Sequence, residues 1–202
     1  MTRLLVATTN RHKIDEIRRL LAGVDVDLVT LDRWPHVEPP AETGETFEEN
    51  ARAKAEYYAR TTGELTVAED SGLEIDALGG APGVQSARYG GEQTTYSEKF
   101  AMLYRALAAA DNPASPARFV CALAVATPHR IVFEARGTVT GRIAPEPKGS
   151  EGFGYDPIFF FPAYGRTLAE MTVEEKAAVS HRGQAFRALR VFLAAEAAKI
   201  VK

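Results

Sequence analysis

Leu65-Thr66-Val67-Ala68-Glu69-Asp70-Ser71-Gly72-Leu73 is the stretch on which the reading of this chain turns. Its first four residues predict a short buried strand, and two acids and a hydroxyl follow where the apolar run ends. A carboxylate at the carboxyl end of a strand is well placed to hold a hard cation. Consecutive strand residues point to opposite faces, so Glu69 and Asp70 are not expected to act as one chelating pair. Asp70, nearer the end, is the better metal ligand, with Glu42 as a second oxygen donor. The same residues also suit an Asp-Ser-Gly turn held by side chain to backbone bonds.

Outward from this stretch the pattern is that of an α/β protein with a mixed sheet. Leu4 to Ala7 reads as a buried strand, followed after Thr8-Thr9-Asn10 by a helix with Ile14, Ile17, Leu20 and Leu21 at helical spacing. Val24 to Leu31 is a second strand. Three prolines within residues 33–40 break regular structure and make a loop. Thr46 and Glu49 form a capping box for a helix through about Arg60. Beyond the 65–68 strand, a Gly-rich segment, Gly79-Gly80-Ala81-Pro82-Gly83, leads to a helix around Thr95 to Ala109. Two strands, Arg118 to Ala126 and Ile131 to Gly141, predict a hairpin across Thr127-Pro128-His129-Arg130. A short helix opened by Thr172 and Glu175 precedes a last one running from Gly183 toward Lys199.

At 202 residues and 46% hydrophobic content the chain can bury a substantial core. Its formal net charge of -3 argues against a nucleic-acid backbone as partner, which calls for a basic surplus. The single cysteine, Cys121, sits in an apolar run and reads as a buried thiol, so no intramolecular disulfide is possible and reducing cytoplasm fits best. With only Arg3 before the first strand and no run of spanning length, neither a signal peptide nor a membrane segment is expected.

Three further segments carry candidate chemistry. Asn10 is a natural N-cap, and Arg11, His12 and Lys13 crowd the same helix start with positive or titratable groups. Cations there oppose the helix dipole, so they call for a compensating anion such as a phosphate on the free amides, which Asn10 and Lys13 can reach together. By itself the segment equally reads as a cap followed by solvated charges, and the dipole argument allows Lys13→Ala to be stabilising. Lys54, four residues after Asn50, either adds charge to a cleft or, as is more common, is a solvated lysine. Gly152-Phe153-Gly154-Tyr155-Asp156 brings backbone close to a ligand and offers Phe153 or Tyr155 for stacking on a base; a tight turn with core aromatics is the plainer reading. Lys176, His181 and Arg182 supply donors of three types for carbonyl and phosphate oxygens, with Ser180 capping the last helix. No P-loop, dinucleotide fingerprint, zinc-ligand spacing or nucleophile elbow is present.

Taken in order, these segments are similar to the inosine triphosphate pyrophosphatase family, house-cleaning enzymes that hydrolyse deaminated purine nucleoside triphosphates. The resemblance rests on Thr8-x-Asn10-x-x-Lys13, Glu42-Thr43-Gly44-x-Thr46-Phe47-x-Glu49-Asn50-Ala51-x-x-Lys54-Ala55, Asp70-Ser71-Gly72-Leu73 and Gly79 to Gly83. It continues through Ser86-Ala87-Arg88-Tyr89, Gly152 to Pro157 and Ser180-His181-Arg182-Gly183. It implies an elongated mixed β-sheet flanked by helices, with two lobes and a central cleft, in one domain spanning residues 1–202 and usually in a homodimer. It implies hydrolysis of ITP, dITP and XTP to the monophosphate and pyrophosphate, with Mg2+ held by Glu42 and Asp70 and with Asp70 as proton acceptor. Thr8, Thr9, Asn10, Arg11, His12 and Lys13 are implied to bind the triphosphate, with Lys13 also catalytic. Ser71, Phe153, Gly154, Tyr155, Asp156, Lys176, His181 and Arg182 are implied to bind the rest of the substrate. Family members from bacteria often carry Asp-Asp before Ser-Gly; here Glu69 stands first, which leaves it out of the metal set.

Overall fold

Asn10 stops the first strand and starts the first helix, because its extended backbone lets the side chain accept the Lys13 amide. In the computed structural model, which describes residues 2–200, β1 (Thr2–Val6) therefore passes directly into α1 (Arg11–Leu20), and β2 (Val26–Thr30) returns beside it in parallel. The expected Thr46 and Glu49 capping box is present and opens α2 (Phe47–Thr62), which Gly63 ends in the left-handed conformation at φ 77°. β3 (Leu65–Ile75) then pairs with β1, again in parallel. Helical crossovers between parallel neighbours are what α1 and α2 supply.

The remaining elements are α3 (Tyr96–Ala109), β4 (Pro116–Ala126), β5 (Ile131–Ile143), β6 (Phe159–Phe161), β7 (Arg166–Thr167), α4 (Val173–Val179) and α5 (His181–Ile200). All seven strands join one sheet in the order β2-β1-β3-β4-β5-β6-β7. It is mixed, because β1 pairs in parallel with β2 and β3 while β6 pairs antiparallel with β5 and β7. The expected α/β class and mixed sheet are thus observed. Thr95 with Glu98 and Thr172 with Glu175 form further capping boxes at the starts of α3 and α4.

Two expectations are corrected. The strand expected to end at Ala68 continues to Ile75, so Glu69 and Asp70 lie in the middle of β3. Polar residues here did not mark a terminus because each carboxylate finds cationic or amide partners within the fold. Gly72 serves the same continuous strand: a Cβ there would stand 2.3 Å from Ser86 Oγ and 2.6 Å from the Gly83 carbonyl oxygen, so the backbones approach more closely than any other residue allows. The last helix starts at His181, two residues before Gly183.

The chain divides into two compact units. One holds the residues up to Asp70, Cys121–Gly137 and the residues from Arg182 onward; the other holds Ser71–Val120 and Thr138–His181. The core of the first is built from Leu4, Val6, Ile17, Leu65, Val67, Leu123, Phe186 and Leu189. That of the second is built from Leu73, Ile75, Leu103, Leu107, Phe119, Phe159, Leu168 and Met171. Among the described residues, no helix is long and apolar enough to cross a membrane.

Candidate active site

In the first unit, the period-two alternation of β3 gives its neighbouring acids different partners. Glu69, 4% exposed, receives Lys13 Nζ at 2.9 Å and Arg182 Nη2 at 3.0 Å on Oε1, while the Cys121 thiol donates to Oε2 at 3.2 Å. Arg182 is itself fully buried and directs Nη1 to Glu16 Oε2 at 2.7 Å. Burial alone would push the Glu69 carboxyl up, but the charges of Arg182 and Lys13 outweigh it and hold the group well below the usual carboxylate range. The Arg182 guanidinium, which burial would make easier to deprotonate, is kept charged by Glu69 and Glu16. Burial and then the adjacent Glu69 charge push the Cys121 thiol well up, so it stays protonated and donates.

Asp70, one residue on and 7% exposed, accepts Asn50 Nδ2 at 3.0 Å and Lys54 Nζ at 3.2 Å. Lys54 also reaches Glu42 Oε1 at 2.7 Å, so one ammonium bridges the two carboxylates expected to bind metal. Asn50 is fixed in turn by accepting the Gly44 amide at 2.8 Å. Burial raises the Asp70 pKa; Lys54 and Asn50 oppose this, Glu42 adds to it, and the outcome lies above the ordinary value. A carboxyl raised in this way is more basic than its neighbour Glu69, which suits it to accept a proton. Among the described residues no group of three or more His, Cys, Asp or Glu side chains converges to hold a metal.

Two readings of the sequence change here. Lys54 is not a solvated lysine; α2 places it one turn after Asn50, and burial makes its bonds to Glu42 and Asp70 its means of staying charged. Lys13 opposes the dipole of α1 but gains a buried carboxylate, so the stabilisation allowed for Lys13→Ala gives way to a loss. Removing one cation from buried Glu69 is expected to cost about 1–3 kcal/mol. Thermal unfolding of Lys13→Ala against the unmodified protein checks this; a higher midpoint for the variant would restore the dipole argument. Around the start of α1, Thr8 is half-buried and Thr9, Asn10, Arg11 and His12 are exposed. Thr8, Thr9 and Arg11 line a cavity of about 410 Å³ with Ile14 and residues 30–32.

The second unit gathers Phe153, Gly154, Tyr155, Asp156 and Lys176. Asp156, 2% exposed, accepts Lys176 Nζ at 2.6 Å and the Phe153 amide at 2.9 Å, closing the 153–156 turn upon itself. Gly152 has φ 73°, and a Cβ on it would come within 2.1 Å of Asp156 Oδ2, so only glycine fits. Lys176 Nζ lies 4.9 Å from the centroid of the Phe153 ring, a cation–π distance. Tyr155 is taken into the core: its hydroxyl donates to the Ser86 carbonyl at 2.8 Å, which leaves Phe153 as the partly exposed ring of the pair. His181 stacks on Phe119 at 4.9 Å with planes 12° apart. Ser71, half-buried, is the first residue of this unit. Arg182 bonds Glu16 and Glu69 in the first unit.

The sequence reading missed Glu16 and Phe119, and gave Asn50 no role beyond sharing a helix face with Lys54. Glu16 lies three residues after Lys13, so both stand on one side of α1, and that spacing was the available sign of it.

The Ham1 family model matches residues 4–192. A dITP/XTP pyrophosphatase of Exiguobacterium sibiricum is 45% identical over 193 residues, covering 95% of this chain and 96% of its own. Another dITP/XTP pyrophosphatase, from Listeria monocytogenes, is 41% identical over 202 residues, all of both chains. The solved structure of a HAM1 protein from Coxiella burnetii superposes with a TM-score of 0.89 at 40% identity, covering 96% of this chain and 98% of that one. The resemblance read from the motifs is borne out.

Proposed function

We propose, from the premise that this chain belongs to the Ham1 family, that it hydrolyses the deaminated purine nucleoside triphosphates ITP, dITP and XTP to the monophosphate and pyrophosphate, clearing them from the nucleotide pool. The observation that carries the proposal is the split environment of two adjacent buried acids. Glu69 is saturated by Lys13, Arg182 and Cys121, whereas Asp70 is raised and faces Lys54 and Glu42. One acid is held low by its cations; its neighbour, held by Asn50 and Lys54, is the more basic of the two.

Residues of the first unit bind the triphosphate in this reading. Water attacks the α-phosphorus as its proton passes to Asp70; the bond from the α-phosphorus to the bridging oxygen breaks, and pyrophosphate leaves with that electron pair. Lys13 and Lys54 offset the growing negative charge from positions already fixed by Glu69 and by Glu42 with Asp70. The amides of Asn10 to Lys13 and the side chains of Thr8, Thr9, Arg11 and His12 hold phosphate oxygens. Glu42 and Asp70 fit Mg2+, since the Lys54 ammonium shows their hard oxygens converging on one cation. When bound there, the ion would supply Lewis-acid charge to the phosphates. Residues of the second unit take the base: Phe153 stacks on it, and Ser71, the 154–156 backbone, Lys176 and His181 orient it.

The free thiol of Cys121 supports a cytoplasmic setting, and a homodimer is the assembly we propose. Pyrophosphate release from ITP, assayed with and without Mg2+, tests the activity. Tight nucleotide binding without pyrophosphate release would replace it with a nucleotide sensor.

A further inference from the structure

Tyr96, the first residue of α3, leaves a large aromatic ring 41% exposed yet held from several sides. Its edge packs on Tyr155, with centroids 5.3 Å apart and planes at 88°. The Lys99 ammonium lies 4.8 Å from its ring centroid and is tied to the Ala87 carbonyl at 2.6 Å. The adjacent Ser86 carbonyl is the acceptor of the Tyr155 hydroxyl, so consecutive residues 86 and 87 anchor both the support under Tyr96 and the ring beside it. A Cβ built on Gly154 would meet the Tyr96 phenol oxygen at 3.5 Å, so the Tyr96 ring stands over the open side of that glycine in the turn that carries Phe153. Burial, and then the charge of Asp156, raise the Tyr96 pKa, so the hydroxyl stays protonated at that turn.

We infer that Tyr96 is a positioning residue for base selection: by packing on Tyr155 and standing beside Gly154 it fixes the 152–156 turn and so sets where Phe153 meets the base. This rests on the proposed function, in which that turn receives the purine. Edge-to-face aromatic pairs contribute roughly 0.5–1.5 kcal/mol beyond their area, which is up to about a tenfold change in affinity. Tyr96→Ala is therefore expected to raise KM for ITP about tenfold, with kcat within about twofold and the preference for ITP over ATP reduced. Tyr96→Phe keeps the ring and its cation and is expected to restore both.

Competitive inhibition by inorganic triphosphate, which has no base, separates positioning from general damage. Its inhibition constant is expected to be the same in Tyr96→Ala and in the unmodified protein. An unchanged KM for ITP in Tyr96→Ala, or a rise in KM matched by the triphosphate constant, overturns the inference. If the unmodified protein releases no pyrophosphate from any nucleotide, the proposed function fails by itself, and calorimetric titration with IMP then decides on Tyr96. Affinity weakened about tenfold in Tyr96→Ala supports its role; equal affinity, or no binding by either protein, overturns it.

Discussion

Asp70→Asn is expected to lower turnover on the order of 10²-fold or more, as removal of a general base or metal ligand does. The side chain keeps its size, but an amide offers one acceptor where the carboxylate offers two. Both oxygens of Asp70 are in use, one by Asn50 Nδ2 and the other by Lys54 Nζ, so the new NH2 group must face a donor. Nucleotide binding should survive better than turnover, because Lys13, Arg182 and the 153–156 turn are untouched. Pyrophosphate release at saturating Mg2+, with ITP binding measured in parallel, is the check. Near-normal release by the variant would mean that neither the proton nor the metal belongs to Asp70.

The second large effect is selectivity. Deaminated purines present O6 as an acceptor and N1-H as a donor, and adenine reverses both. The one carboxylate in the 153–156 turn, Asp156, accepts from Lys176 and from the Phe153 amide, and in the proposed reading the 154–156 backbone, Lys176 and His181 supply the donors that meet O6. A site that leaves buried groups unpaired by the wrong substrate discriminates by about 10⁴-fold, whereas stacking on Phe153 alone would discriminate far less. ITP and XTP are therefore expected far above ATP in kcat/KM. GTP shares O6 and N1-H with ITP and must be rejected by an unfavourable contact at its 2-amino group; it is expected to be poor as well. Arg182→Ala, which strips a cation from Glu69, is expected to lower activity on every nucleotide. Comparable kcat/KM for ATP and ITP in the unmodified protein would overturn the house-cleaning assignment even with pyrophosphate as product.

What was legible in the sequence was local. Thr46 with Glu49 and Thr172 with Glu175 announce their helices because a capping box is complete within four residues. The 127–130 turn between two apolar runs announces a hairpin for the same reason. What stayed hidden depends on distant partners. Nothing near Glu69 says that Arg182, 113 positions later, will neutralise it, or that Glu16, 166 positions from Arg182, will share that guanidinium. Without those partners two acids in a row look like the end of a strand, and the length of β3 was misread accordingly. Lys54 followed the same logic: surface lysines are the rule, and only the fold brings Glu42 and Asp70 to it. The motifs named candidate residues and their order along the chain. They did not reveal that Tyr155 is spent on packing or that Arg182 serves a carboxylate.

The thiol of Cys121 gives this protein an internal clock. It is the one sulfhydryl in the chain, fully buried, and bonded to the same Glu69 that Lys13 and Arg182 hold. A thiol reagent can reach it only when the strands around Glu69 open, and burial beside a negative charge keeps the closed form unreactive. Under excess reagent with fast reclosing, the labelling rate is the opening equilibrium multiplied by the intrinsic rate of a free thiol. Every event that tightens or loosens the charge cluster is thereby written into the colour change of a single residue, without a probe having to be introduced. Nucleotide that binds the closed form should lower that rate in proportion to its occupancy, and one that draws Lys13 off Glu69 should lower it less than one that leaves the pair intact at equal affinity.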